Sequence, residues 1–250
     1  MDQQTIEKLW QMRLEGMVTA FKEQTEQPNM GSLSFEERFA MIVEREWTSR
    51  ENRRLALRLK NARFNQQATV EDIDYRHHRG LDKSVVRTLA ACQWVKKTQN
   101  IIICGPTGIG KSYIAEALAQ KACREGSTAY RTKVSRLFRE LEIARGDGSY
   151  LKLLSRYARI DVLVIDDWGM SQLNDMERKD FLEIMEDRYN TKSTIITSQY
   201  PVAKWHDLIG EPTVADAILD RIVHNAHKII LKGDSMRKNR SNLTHGDQGK

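Results

Sequence analysis

Three short runs of this chain carry side chains whose types and spacing could handle a nucleoside triphosphate. The first is Gly105-Pro106-Thr107-Gly108-Ile109-Gly110-Lys111-Ser112. Its glycines let the backbone close around phosphate oxygens, so that successive N–H groups point inward. A helix starting at its end adds unpaired amides and the positive end of a dipole. Lys111 can reach the β- and γ-phosphates, and the Ser112 hydroxyl can ligate Mg²⁺. The second run is Val162-Leu163-Val164-Ile165-Asp166-Asp167. Asp166 is suited to hold Mg²⁺, directly or through water, and Asp167 to orient and deprotonate an attacking water. An Asp-Asp turn that merely ends a strand is the alternative. The third is Thr194-Ile195-Ile196-Thr197-Ser198-Gln199, where Ser198 and Gln199 are both candidates to touch the γ-phosphate or the water. Arg221 reads either as a surface arginine paired with an acid or as an arginine finger given to a neighbouring subunit. Arg237, in Ser235-Met236-Arg237, could reach the nucleotide of its own subunit.

These side chains need strands that end at one edge. From about residue 100 the pattern predicts strands at 101–104, 128–131, 162–165, 194–197 and 228–231. Helices are predicted at 112–124, 135–144, 150–158, 176–189 and 214–223. Such alternation implies an α/β fold with a parallel sheet and helices on both faces. The wholly apolar run before Asp166 suits a buried parallel strand, whose carboxyl end is where open sheets bind ligands.

Residues 1 to about 95 read as helical. Ser34 and Glu37 form a capping box that opens a helix, with Phe35, Phe39, Ile42, Val43 and Trp47 as its packed apolar stripe. The break before it is Gln27-Pro28-Asn29-Met30-Gly31. Arg50, Arg53, Arg54, Arg58, Lys60 and Arg63 follow in a stretch holding few acids. Arg50, Arg54 and Arg58 share a helix face, read either as a solvated basic surface or as a stripe that tracks phosphates. With 40 Lys+Arg against 34 Asp+Glu, the 250-residue chain carries net +6, a balance that leans toward a polyanionic partner. Three cysteines without a C-x-x-C pair indicate a reduced, cytoplasmic setting. The histidines show no zinc-ligand spacing, and no apolar run approaches the roughly 18 residues a membrane helix needs.

Taken together, Gly105–Ser112, Ile165–Asp167, Thr197-Ser198-Gln199, Asp220-Arg221 and Ser235-Met236-Arg237 resemble the AAA+ ATPases of the helicase-loader and initiator clade. Within that clade the chain is similar to the IstB family, ATP-binding helpers of insertion sequences. The arginine-rich lead-in, Asp72-Ile73-Asp74-Tyr75, Trp205 and the 219–227 stretch belong to the same resemblance. It implies a helical N-terminal domain over 1–70, an AAA+ core over 71–237 without a C-terminal lid, and a polar tail at 238–250. It also implies an ATPase that takes ATP and Mg²⁺ at the interfaces of a homo-oligomer, with Arg221 completing the neighbour's site. DNA, with duplex preferred and little sequence specificity, and the cognate transposase are the implied partners; a membrane is not. The family commonly has Asp-Glu where this chain has Asp166-Asp167, and Asn where it has Gln199. A replicative helicase loader acting on single-stranded DNA is the nearest rival, followed by a small-molecule kinase and a non-hydrolysing scaffold.

Overall fold

The computed structural model describes residues 3–27 and 32–236. The chain divides into two compact units, residues 1–57 and 58–250. The division falls earlier than the domain boundary expected after residue 70, because residues after 57 join the second unit: Arg58 Nε donates to the Cys123 carbonyl at 3.0 Å, and Ala62 and Ala68 are buried.

The first unit contains α1 (Gln3–Gln11), α2 (Glu15–Glu26) and most of α3 (Phe35–Ala62). The expected capping box opens α3: Ser34 N–H donates to Glu37 Oε2 at 2.8 Å, and Glu37 N–H to Ser34 Oγ at 3.2 Å. The expected apolar stripe is mostly exposed: Phe35 and Phe39 stack on each other with ring centroids 5.9 Å apart, and Ile42 alone of the five is half-buried. Phe35, Phe39, Val43 and Trp47 are 68, 49, 46 and 62% exposed. The face turned toward α2 instead carries Glu46, whose Oε2 accepts the Gly16 and Met17 N–H groups at 2.7 and 3.2 Å. Gly16 permits this approach, since a Cβ there would lie 2.8 Å from Glu46 Cα. The Pro28–Gly31 part of the predicted break lies outside the described residues.

The second unit is built on five parallel strands: β1 (Asn100–Cys104), β2 (Ala129–Lys133), β3 (Val162–Trp168), β4 (Ser193–Ser198) and β5 (Ala226–Ile230). They lie in the order β2-β3-β4-β1-β5. Along with α4 (Lys83–Ala90) and α5 (Gln93–Lys96), the helices are α6 (Lys111–Arg124), α7 (Val134–Gly146), α8 (Tyr150–Arg159), α9 (Asp175–Arg188), α10 (Trp205–Ile209) and α11 (Pro212–Val223). Alternation at period two splits the strand residues between two faces. Ile102, Leu163, Ile165 and Ile196 join Phe138, Leu141, Tyr157, Phe181 and Ile218 in one cluster. The intervening Ile101, Ile103, Val164 and Ile195 are also buried, on the face against which α6 packs. Each buried isoleucine contributes about 1.5–3 kcal/mol relative to exposure. All of β1 is buried, between β4 and β5, so the loop that follows it leaves the interior of the sheet.

Candidate functional site

The loop after β1 wraps tightly because Gly105, Gly108 and Gly110 all take positive φ, at +154°, +79° and +99°. A Cβ at Gly105 would sit 2.6 Å from the Leu231 carbonyl oxygen, so only glycine fits. Gly110 is the N-cap of α6, and Lys111 is the first residue of that helix. Lys111 Nζ donates to the Gly105 and Pro106 carbonyls at 2.8 and 2.9 Å, which holds the ammonium against its own loop. A strap after β5 covers the loop: Met236 N–H donates to the Gly108 carbonyl at 3.0 Å. Arg79, 2% exposed, lies on the same loop and donates to Ile109 O at 2.8 Å and Asp74 O at 2.9 Å. Burial, partly offset by Asp74, pulls its pKa below the ordinary arginine value.

Beside the loop, β3 carries the two carboxylates through a β-bulge. Ile165 pairs with Ile196 and Trp168 with Ser198, so Asp166 and Asp167 oppose the single residue Thr197. Asp167 takes the extra position with φ +63°, a left-handed conformation that aspartate tolerates better than most residues. Ser112 Oγ donates to Asp166 Oδ1 at 2.7 Å, Thr197 Oγ1 donates to the same oxygen, and Arg131 Nη2 donates to Oδ2. Burial alone would raise the Asp166 pKa. The hydroxyl hydrogen bonds and the Arg131 charge together hold it below the ordinary carboxylate value. Asp167 is more open, and its Oδ2 lies 2.9 Å from Lys133 Nζ.

Ser112 and Asp166 therefore present hard oxygen ligands side by side at the mouth of a glycine cradle, a donor set that fits Mg²⁺ on a triphosphate. Gly105, Pro106, Thr107, Gly108, Ile109 and Gly110 supply the cradle. At the tip of β4, Ser198 Oγ donates to the Trp168 carbonyl at 2.9 Å and accepts the Tyr200 N–H, so it locks the bulge. Gln199 Nε2 contacts Met170 Sδ at 3.1 Å at the partly exposed strand end. The β4 side chain that reaches Asp166 is Thr197.

Arg221 lies elsewhere. Its Nη2 donates to Glu186 Oε1 at 2.7 Å, and its carbonyl accepts from Asn100 Nδ2 at 3.3 Å. Asn100 begins β1, whereas the phosphate loop follows the other end of that strand, so Arg221 cannot serve its own loop. Arg237 lies outside the described residues. In the basic segment, Arg50 pairs with Glu46 at 2.6 Å, Arg53 with Glu15 at 3.5 Å, and Arg54 with Glu51 at 2.6 Å. Arg63 donates to the Tyr130 hydroxyl at 2.9 Å, and Lys60 is exposed. Arg58 and Arg63 thus tie residues 58–63 to the rest of the second unit. All three cysteines are free and buried, and burial pushes the Cys123 thiol up to about 11.

Sequence reasoning missed Arg79, Thr197, Arg131, Lys133 and Glu116. Their one sequence signal is position: Arg131 and Lys133 alternate along the short strand at 129–133, and Thr197 immediately precedes the two candidates chosen.

A phosphate loop after β1, with paired carboxylates near the end of β3 and β4 lying between the two strands, defines a P-loop ATP-binding protein of the AAA+ fold. The chain belongs to the IstB-like ATP binding protein family, whose model matches residues 7–244. It is 48% identical to an insertion sequence ATP-binding protein, y4pL, of Sinorhizobium fredii, across 94% of this chain and 96% of the relative. It is 42% identical to the insertion sequence IS1162 ATP-binding protein of Pseudomonas fluorescens, across 80% of this chain and 87% of that protein. Among solved structures, the DnaC helicase loader superposes with a TM-score of 0.54 and 23% identity, covering 66% of this chain and 97% of the loader, a likeness of fold. Among the described residues no helix is long and apolar enough to cross a membrane.

Proposed function

We propose that this chain is a cytoplasmic, ATP-hydrolysing, DNA-binding helper of an insertion-sequence transposase, which assembles on DNA as a homo-oligomer with ATP between subunits. The observation that carries the reading is the separation of Arg221 from its own phosphate loop, in a chain whose loop already gathers Lys111, Ser112, Asp166 and Asp167. Such a chain holds half of a hydrolytic site and the complement of its neighbour's half.

In this reading the loop amides and Lys111 bind the β- and γ-phosphates, while Ser112 and Asp166 hold Mg²⁺. Mg²⁺, when bound, neutralises charge that develops on the phosphates during transfer. Asp167 orients water and accepts its proton as ADP and phosphate form, Gln199 contacts the γ-phosphate side, and Arg221 arrives from the next subunit. Arg237 adds a charge from the same subunit. Arg50, Arg53, Arg54 and Lys60 meet the phosphate backbone, with Arg58 and Arg63 holding that helix end in place. Binding of this kind is salt-sensitive and weakly sequence-specific.

The test is assembly on duplex and single-stranded DNA with ATP, ADP or no nucleotide, using wild type, Lys111→Ala and Arg221→Ala. Wild type is expected to form ATP-dependent oligomers on duplex DNA, and Lys111→Ala to lose them. Arg221→Ala is expected to retain ATP while turnover falls by about 10³-fold or more. A preference for single-stranded DNA would favour a helicase loader. A chain that stays monomeric and ignores DNA throughout would sink the proposal.

A further inference from the structure

Behind Asp166 lies a buried charge chain that the ATPase chemistry described above does not use. Arg131 on β2 is 8% exposed, and Glu116 on α6 is 1% exposed. Arg131 Nη2 holds Asp166 Oδ2, while Arg131 Nε lies 3.4 Å from Glu116 Oε1. The other oxygen of Glu116 accepts the N–H groups of Asn65 and Gln66 at 3.0 and 3.2 Å. One guanidinium therefore bridges two buried carboxylates, one on the helix that opens at Lys111 and one on β3 just before its bulge residue Asp167.

The energetics of burial make this arrangement unusual for a purely structural pair. Two carboxylates and one cation leave a net negative charge enclosed, and an uncompensated buried charge is costly. At the Asp166 end Oδ1 accepts from two hydroxyls, Thr197 inside the sheet and Ser112 at the mouth of the loop. A divalent cation at Ser112 would complete the neutralisation. The planar fork of arginine fixes the second carboxylate oxygen in a way that an ammonium cannot. Oδ2 is thereby occupied and Oδ1 is left to face the loop.

We infer that Arg131 is a positioning residue for the magnesium site: it clamps Asp166 Oδ2 so that Oδ1 is presented to the ion, and Glu116 in turn aims the guanidinium. The inference rests on the reading of Ser112 and Asp166 as the Mg²⁺ residues. The chain begins at Asn65 and Gln66, directly after the Arg63 anchor, so the connector leaving the basic segment is tied to the same device.

The experiment titrates MgCl₂ into full-length protein with a fluorescent ATP analogue, for wild type, Arg131→Lys and Glu116→Gln, beside melting curves recorded without nucleotide. Arg131→Lys keeps the charge and loses the fork. Glu116→Gln keeps an acceptor for Asn65 and Gln66 and loses the charge that aims Arg131. Both variants are expected to need roughly 10-fold more Mg²⁺ for half-maximal binding, the scale typical of lost outer partners of metal ligands. Their affinity for the analogue without Mg²⁺ should stay that of wild type. Should Arg131→Lys fail to fold, Glu116→Gln carries the test alone. A fall in melting temperature with an unchanged Mg²⁺ requirement would overturn the inference and leave a structural ion pair. Wild-type binding that ignores Mg²⁺ would instead overturn the assignment of Ser112 and Asp166 on which the inference stands.

Discussion

Asp167 is held by two unlike constraints: a left-handed backbone at the bulge and an ion pair with Lys133 at 2.9 Å. The backbone position costs roughly 1–2 kcal/mol, and such strain persists where surrounding structure fixes it. Here the Asp167 N–H donates to Thr197 Oγ1 at 3.2 Å, which fastens the bulge to β4. The ion pair is half-exposed and weak by comparison, so it can yield while the backbone stays. A carboxylate engaged by an ammonium is poorly placed to take a proton from water. Lys133→Met is therefore expected to raise turnover in the absence of DNA by several-fold, with nucleotide affinity unchanged; steady-state phosphate release would show it. A drop in turnover would mean that Lys133 assists the reaction instead. Asp167 itself was legible in the sequence, because an apolar run ending in carboxylates is a distinctive local signal. Lys133 and Arg131 were not, because Ala129-Tyr130-Arg131-Thr132-Lys133 has nothing local to mark it. Their roles come from the sheet order, which sets β2 beside β3 with Lys133 against Asp166.

At the scale of elements, helix starts and strands were legible and helix faces were not. The Ser34–Glu37 box works because both of its bonds are local. Each predicted strand of the second unit is present, and β3 runs on through Asp166 and Asp167 to Trp168 because the bulge lets pairing resume. Helical spacing at Phe35, Phe39, Val43 and Trp47 correctly indicated a helix, but packing decided otherwise about burial. Gly16 lets α2 approach the side of α3 that bears Glu46, and that carboxylate caps the amides at the start of α2. Burial opposes the charge of Glu46, yet Arg50 and the two amides together bring its pKa below the free value of 4.5. A carboxyl with a lowered folded value contributes stability that is complete above 4.5 and drains away as pH falls through the folded value. Glu46→Gln should cost about 1–2 kcal/mol at neutral pH and remove that acid dependence. Hydrogen exchange at Gly16 and Met17 of the full-length protein, followed from pH 7 to about 3, reads both effects. Equal protection in wild type and variant would show that the carboxylate does not hold α2.

For the whole molecule the decisive geometry is that the second unit carries a phosphate loop at one end of β1 and Arg221 near the other. Asn100 Nδ2 donates to the Arg221 carbonyl, and β1 then runs from Asn100 to Cys104 before the loop begins. At about 3.3 Å per residue, that strand alone separates the two by more than a side chain can reach. In the single chain Arg221 is parked on Glu186 at 2.7 Å, a pair exposed enough to exchange for a phosphate at modest cost. No local feature of Asp220-Arg221 announces this; the sheet order does, by placing α11 before the edge strand that lies next to β1. If Arg221 acts across an interface, two inactive variants should rescue one another. Lys111→Ala lacks the ammonium for ATP but keeps the finger, and Arg221→Ala binds ATP but lacks the finger. Mixed in equal amounts on DNA, they form interfaces in which an Arg221→Ala site meets a Lys111→Ala neighbour. Random pairing makes up to about a quarter of interfaces complete, so turnover should climb toward that share of wild type, far above the sum of the separate variants. Size measurement establishes that mixed assemblies form. If they form and turnover does not recover, Arg221 does not complete a neighbour's site, and the oligomer must draw its catalytic arginine from another position.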